Sequence, residues 1–285
     1  MRNKIFSDIK NSRKEGVFIA LVMYLILPVC CMYEINRRGF DNASAACVGF
    51  IQMLIPVLCG VFIVFILRPY IENDGYEVFY RVPDALGKEY CDTIKALSKK
   101  YEDKIEISVG FEMEYFPQYF DKMLNDAKKY GAEYLILGQH SIGPEYPDPI
   151  YTTVPTDSEE KLSEYVEAVV GGIKSGVFTY AAHPDMFFFT GDKDIYRKEM
   201  QKICVAAKEE DIPLEINFLG IRDKRHYPRE DFWQIAAEEK SPVTFGFDAH
   251  DVAGAADLES LDVAKGLVEK YNLNYIGKPK LIKIK

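Results

Sequence analysis

The sequence predicts an α/β fold, with a parallel sheet or barrel that follows two apolar segments at the N-terminus. Three observations lead to this prediction. From about residue 70, apolar runs of strand length alternate with helical patterns. The spacing is roughly 30 to 40 residues, which is typical of βαβ units. The chain also has 285 residues and is 48% hydrophobic, which excludes a disordered chain and a small disulfide scaffold.

Two long uncharged segments predict a helical membrane hairpin. Residues 16–33 and 42–67 contain no charge, and each can cross a hydrocarbon core of ~30 Å as a helix. We place the spans at residues 17–33 and 43–67, on either side of the polar segment 34–41. The predicted division is a hairpin region at 1–69 and a second domain at 70–285. Two buried core helices of a soluble protein are the alternative.

The distribution of basic residues predicts the side of the membrane. Five Lys or Arg residues precede the first span and two lie between the spans, so both ends of the hairpin are expected in the cytoplasm. The six cysteines form no Cys-x-x-Cys pair and are interpreted as reduced thiols. We therefore expect a cytoplasmic catalytic domain that the hairpin anchors to the inner membrane.

Five strands and five helices are predicted in the second domain. The apolar runs at 105–110, 134–137, 177–181, 214–216 and 243–247 predict the strands. The helical patterns lie at 117–129, 158–174, 194–209, 229–240 and 258–271. Asp157, with Glu160 three residues later, predicts a capping box at the start of the second helix.

The charge balance argues against one class of partner. The chain has 35 Lys and Arg residues against 44 Asp and Glu residues, a net charge of −9. Nucleic-acid phosphates are usually held by clustered basic residues. We therefore expect no nucleic-acid partner.

Polar side chains follow the predicted strands at corresponding places. His140, His183 and His250 each come after a different strand, Glu112 follows the first strand, and Asn217 follows the fourth. The carboxyl ends of parallel barrel strands open on one rim. We expect these side chains to meet at that rim.

This set of residue types predicts a divalent-metal site. A lone histidine after a strand is more often a structural residue, but three of them beside matching carboxylates favour a metal centre. Imidazole and carboxylate ligands suit Zn, Mn or Fe, and such a centre lowers the pKa of bound water. Asp248 and His250, two residues apart, can both serve as ligands from one strand end. Glu114 lies on the same side as Glu112, so either carboxylate can be the ligand, with Glu112 preferred.

A basic loop after Asn217 predicts a small phosphate ester as the substrate. Residues 218–229 contain four cations, and guanidinium groups bind pairs of phosphate oxygens. Arg222 is nearest the strand end and is the candidate phosphate clamp, with Asn217 as a second candidate substrate-binding residue. A solvated basic loop is the alternative for the other cations. The segment 141–157, with four prolines, is expected to be a lid or specificity element.

Five motifs resemble, in order, those of the PHP-superfamily histidinol phosphatases. They are Gly-Phe-Glu-Met-Glu-Tyr at 110–115, Leu-Gly-Gln-His at 137–140, Ala-His-Pro-Asp at 182–185, Leu-Glu-Ile-Asn-Phe-Leu-Gly-Ile-Arg at 214–222 and Gly-Phe-Asp-Ala-His at 246–250. The resemblance runs from about residue 70 to the end. It implies a distorted (β/α)7 barrel with a multinuclear metal centre, which hydrolyses L-histidinol phosphate to L-histidinol and phosphate in histidine biosynthesis.

The resemblance also implies roles for particular residues. Carried over by motif, the metal ligands are Glu112, His140, His183, Asp248 and His250, with Glu112 bridging. Asp248 and His250 are in addition the candidate catalytic residues. We expect Asp248, or a water on the metal, to protonate the leaving alkoxide. Arg222 is implied in phosphate binding.

The chain departs from that family at its N-terminus. Family members begin with a strand that carries a His-x-His pair, whereas this chain has no histidine before His140. The resemblance therefore implies a barrel that lacks its first strand or strands and several metal ligands. Three explanations are open: a true membrane anchor on an inactive barrel, a shifted reading frame, which we favour, or a partner chain that supplies the strand. The alternative functions are a catalytically silent, membrane-anchored binding protein and a phosphoesterase for another small ester.

Overall fold

A parallel sheet organises the part of the chain that the computed structural model describes, residues 65–67, 82–143 and 149–284. Its seven strands pair in the order β1 (Phe65–Leu67), β2 (Gly110–Met113), β3 (Tyr134–Leu137), β6 (Phe178–Ala181), β7 (Leu214–Asn217), β8 (Pro242–Gly246) and β9 (Asn274–Tyr275). Every neighbouring pair is parallel. A separate antiparallel pair consists of β4 (Ser141–Ile142) and β5 (Ile150–Tyr151). The predicted α/β class with parallel strands is confirmed.

Helices connect the successive strands, as the alternating pattern predicts. They are α1 (Gly87–Lys100), α2 (Phe120–Tyr130), α3 (Glu159–Lys174), α4 (Lys193–Glu209), α5 (Phe218–Arg222), α6 (Glu230–Glu239), α7 (Val252–Ala255) and α8 (Leu258–Tyr271). The N-cap of α3 differs from the predicted one. The Ser158 side chain accepts a hydrogen bond from the Lys161 backbone N–H, so the N-cap is Ser158 and not Asp157. A Ser hydroxyl one residue closer to the helix satisfies the free N–H of the first turn.

The first predicted strand, at 105–110, is wrong in its position. The strand occupies Gly110–Met113, because these residues pair in register with Tyr134–Leu137 of β3. The apolar run before Gly110 resembles a strand in sequence, but pairing with β3 begins only where Val109 O accepts a hydrogen bond from Glu133 N, at 2.8 Å. Glu112 therefore lies within a strand and not after one.

Part of the predicted membrane hairpin enters this sheet. Phe65–Leu67 form β1 and pair with Phe111–Met113, so the prediction of a membrane helix is wrong for these three residues. A strand thus precedes β2, although the resemblance implied a barrel that lacks its first strand or strands. The rest of the hairpin lies outside the described residues. Within the described ranges, no helix is both long and apolar enough to cross a bilayer.

The C-terminal tail covers the amino ends of the central strands. Ile282 N donates to Thr179 Oγ1 at 3.1 Å, and Ile284 N donates to Glu133 O at 3.0 Å. Leu281 packs against a small buried cluster that includes Ile136 and Ala182. The tail therefore lies against the amino ends of β3 and β6. The polar residues after the strands lie at the opposite, carboxyl end.

Candidate metal centre

Three side chains from separate strands meet at the carboxyl end of the sheet. Glu112 belongs to β2, His140 follows β3, and His183 follows β6. One possible ligand atom from each lies within 4.8 Å of the other two. Glu112 Oε1 is 3.0 Å from His183 Nε2 and 3.4 Å from His140 Nε2. The predicted convergence is found for these three residues, and the group can hold a metal ion.

Gly138 makes room for the carboxylate of this group. A Cβ atom at residue 138 would overlap with the Glu112 side chain, so only glycine leaves space for it. Gly138 comes directly after Leu137, whose strand pairs with the strand of Glu112. The absence of a side chain at Gly138 therefore determines where the Glu112 carboxylate lies.

Negative charge surrounds the buried imidazole of His183. Burial alone would lower the pKa of His183, but the hydrogen bond and charge of Glu112, together with Glu215 and Asp248, raise it to about 9. Such surroundings favour a positive charge at this position. The residue also has a φ of +33°, and Asp248 has a φ of +40°. Left-handed backbone at residues other than glycine often marks functional sites.

Asn217, at the carboxyl end of β7, bridges two acidic side chains of this region. Its Nδ2 donates to Glu215 Oε2 at 3.0 Å and to Asp248 Oδ2 at 3.1 Å, and its Oδ1 accepts from Gly220 N at 3.0 Å. Only 1% of the residue is exposed. The Asn217 amide therefore bridges Glu215 and Asp248 inside the protein. Its contact with a substrate stays a prediction.

Asp248 and His250 lie outside the three-residue group. Asp248 is joined to that region through Asn217. The His250 side chain is 66% exposed, and its Nδ1 is 3.1 Å from the backbone oxygen of Asp248. The described structure therefore does not bring the five expected ligands to one point, and the ligand roles of these two residues stay predictions.

Arg222 lies beside Asp248 at the end of α5. Its Nη1 donates to Asp257 Oδ2 at 2.9 Å, and its Nη2 donates to the backbone oxygen of Asp248 at 3.3 Å. A quarter of the Arg222 side chain is exposed. These two bonds fix the guanidinium near the carboxyl ends of β7 and β8, where a phosphate clamp was expected. Its role toward a substrate stays a prediction.

Glu215 is a residue of this region to which the sequence analysis gave no role. It is buried in β7, and its Oε2 accepts a hydrogen bond from His183 N at 3.1 Å. Burial raises its pKa to about 7, against the lowering effect of His183 and Asn217. The available signal was a charged residue between Leu214 and Ile216 in an otherwise buried strand.

The segment after His140 is attached to the region by backbone hydrogen bonds. Thr152 N donates to His140 O at 2.9 Å, and Phe188 N donates to Thr152 O at 2.8 Å. Residues 144–148, at the centre of the expected lid, lie outside the described residues. The lid function stays a prediction.

Comparison with known proteins identifies the family. The PHP domain family matches residues 75–218, which is half of the chain. A "Probable histidinol-phosphatase" from Deinococcus radiodurans is 24% identical over 186 residues, 61% of this chain and 69% of that protein. A crystal structure of histidinol phosphate phosphatase from Lactococcus lactis, complexed with Zn, L-histidinol and phosphate, superposes with a TM-score of 0.57 and 21% identity. The superposition covers 78% of this chain and 86% of that one, and it shows a shared fold. With the family matching half of its length, the chain belongs to the PHP domain family.

Proposed function

We propose that this protein is a metal-dependent phosphomonoesterase that hydrolyses L-histidinol phosphate to L-histidinol and phosphate. The observation that carries the proposal is the meeting of Glu112, His140 and His183 within 4.8 Å, in a chain that belongs to the PHP domain family. The names of the two relatives supply the substrate. The pathway step in histidine biosynthesis follows from the same reaction.

The donor atoms fit a divalent metal ion. Two imidazole nitrogens and a carboxylate oxygen form a ligand set suited to Zn, Mn or Fe. The Gly138 backbone leaves the space that the Glu112 carboxylate occupies, and Glu112 Oε1 lies near both imidazole Nε2 atoms. When bound, a divalent ion supplies charge neutralisation for the phosphoryl group and lowers the pKa of water. A second ion would need further ligands, for which Asp248 and His250 are our candidates.

Arg222 and Asp248 supply the groups that act on the substrate in this proposal. The Arg222 guanidinium binds two phosphate oxygens and orients the ester, since planar guanidinium matches a phosphate edge. Asp248, beside Arg222, is our candidate for passing a proton to the leaving alkoxide oxygen. The exposed His250 next to Asp248 can exchange that proton with solvent.

A phosphate-release assay with histidinol phosphate and added Mn²⁺ or Zn²⁺ tests the proposal. His183→Ala should lower kcat/KM by at least about 100-fold, because it removes a metal-binding imidazole at the buried end of the group. His226→Ala is the matched control, because the His226 ring stacks on Phe188 outside the group, and this variant should bind metal as the wild type does. Equal rates for the wild type and His183→Ala would contradict the assigned site.

A catalytically silent binding protein is the second candidate. Residues 1–139 contain no histidine, so the His-x-His pair implied by the family resemblance has no counterpart there. This alternative keeps the membrane anchor, with both ends of the hairpin in the cytoplasm. It predicts membrane fractionation, substoichiometric metal and no turnover. A phosphoesterase for another small ester would turn over that ester and not histidinol phosphate.

The nucleotide sequence of the gene separates two explanations of the N-terminal region. A shifted reading frame predicts a His-x-His codon pair in another frame upstream of the codon for Tyr70. Finding no such pair in either alternative frame eliminates the shifted frame and leaves the anchor and a partner chain that supplies the strand.

A further inference from the structure

The backbone N–H groups of both histidines in the proposed metal centre are held by buried carboxylates. His140 N donates to Glu114 Oε1 at 3.0 Å, and His183 N donates to Glu215 Oε2 at 3.1 Å. Glu114 directly follows β2 and Glu215 lies in β7, and each carboxylate accepts the N–H of one histidine. The same arrangement therefore occurs twice around one site.

Both carboxylates lie deep in the protein. Glu114 is 0% exposed and Glu215 is 3% exposed. A backbone N–H can be satisfied by a neutral acceptor, and burying a carboxylate costs far more than burying a carbonyl oxygen. Two such buried acids beside one group of histidines therefore indicate a role that a neutral acceptor would not fulfil.

The Glu215 carboxylate has a space prepared for it. A Cβ atom at Gly246, on the neighbouring strand β8, would overlap with the Glu215 side chain. Glu112 lies in the same way over Gly138. Gly138, directly after β3, and Gly246, in β8, thus leave space for the carboxylates of Glu112 and Glu215.

The hydrogen bond to Glu215 also holds a strained residue. His183 has a φ of +33°, a conformation that residues with a Cβ rarely adopt. Its N–H is bound by Glu215, and its backbone oxygen accepts from Met186 N at 2.9 Å. Bonds on both sides of the residue stabilise this conformation, in which His183 Nε2 lies 3.0 Å from Glu112 Oε1.

We propose that Glu114 and Glu215 are positioning residues of the metal centre, each fixing one ligand histidine through its backbone N–H. The inference rests on the proposed function, since it concerns ligands of the same ion. The carboxylates act in two ways: they hold the histidine backbone, and their charge favours a cation nearby. Supporting residues of this kind typically change metal affinity by about 10- to 100-fold.

Metal affinity of the full chain, measured by calorimetric titration with Zn²⁺ alone, tests the inference. Glu215→Met and Glu114→Met keep side-chain length but remove the acceptor, and each should raise the Kd for Zn²⁺ about 10-fold or more. Glu215→Gln and Glu114→Gln keep an acceptor oxygen but lose the charge, so their Kd values should lie between those of the wild type and the Met variants. Ser241→Ala is the control, because it removes a buried 2.8 Å hydrogen bond to Cys204 O at the amino end of β8.

Thermal unfolding of the metal-free proteins separates positioning from general stability. Ser241→Ala should lower the Tm and leave the Kd unchanged. If a Met variant lowers the Tm but keeps a wild-type Kd at a temperature where it is folded, its carboxylate is merely structural and the inference is overturned. If the wild type binds no Zn²⁺, the proposed metal centre and this inference both fail. If the wild type binds Zn²⁺ but does not hydrolyse histidinol phosphate, only the proposed substrate is wrong. The comparison of Kd values then still decides whether Glu114 and Glu215 are positioning residues.

Discussion

Substitution of Gly138 by alanine tests how the site is built. The added Cβ would overlap with the Glu112 carboxylate, whose Oε1 lies 3.0 Å from His183 Nε2 and 3.4 Å from His140 Nε2. Overpacking of this kind costs about 1–3 kcal/mol. To avoid the overlap, Glu112 must move away from His183 Nε2, now 3.0 Å from its Oε1. The group then loses its carboxylate, and the Kd for Zn²⁺ should rise by at least about 10- to 100-fold, the range found for residues that only support ligands.

The same chemical change at Gly266 is the matched control. Gly266 lies within α8, and an added Cβ there meets no atom within 4 Å. Alanine in a helix interior should stabilise the fold by about 0.5–1 kcal/mol. Urea unfolding and Zn²⁺ titration of both variants should therefore give opposite changes in stability and a change in Kd only for Gly138→Ala. A Gly138→Ala protein with wild-type stability and wild-type Kd would refute the placement of Glu112.

Three further variants or treatments test other parts of the structure. Arg222→Lys should raise the KM for histidinol phosphate about 10-fold, because Lys cannot bind two phosphate oxygens in parallel. An unchanged KM in the phosphate-release assay would show that Arg222 does not bind the substrate. Trp233→Phe removes the 3.0 Å hydrogen bond from Nε1 to the buried Asp185 Oδ2, so it should lower the free energy of unfolding by about 1–3 kcal/mol. Urea denaturation followed by circular dichroism measures this change, and an unchanged midpoint would contradict that bond. Burial raises the pKa of the Cys91 thiol to about 11 and that of Cys204 well above its ordinary value. Iodoacetamide at pH 8 should therefore leave both thiols of the native protein unmodified, as measured by peptide mass spectrometry. Rapid labelling of either thiol would show that it is not buried.

Local patterns predicted most elements of the second domain, because its helices bury one face at a regular spacing and its central strands are short runs that are buried throughout. The helix at 258–271 and the strand at 134–137 have the predicted bounds. The strand of Glu112 was misplaced because its position depends on pairing with β3, which sequence periodicity does not contain. β1 was missed for a related reason: an apolar run such as the one that includes Phe65–Leu67 fits a membrane helix and a buried strand equally well.

The site was predicted where a residue's role depends on its place after a strand. His140 and His183 meet Glu112 because the carboxyl ends of adjacent parallel strands lie side by side. The bridging place of Asn217 could not be predicted, because it joins Glu215 of its own strand to Asp248, which follows the neighbouring strand β8. The sequence shows which residues follow the strands, but not which of them remain accessible to a substrate.

An anomalous difference map from crystals grown with Zn²⁺, recorded at the zinc absorption edge, would show directly whether Glu112, His140 and His183 hold one metal ion. We predict an ion bonded to a Glu112 carboxylate oxygen and to the imidazoles of His140 and His183, at distances of about 2.0–2.2 Å. A map that shows Zn²⁺ bound elsewhere on the protein, with no peak among these three side chains, would contradict it.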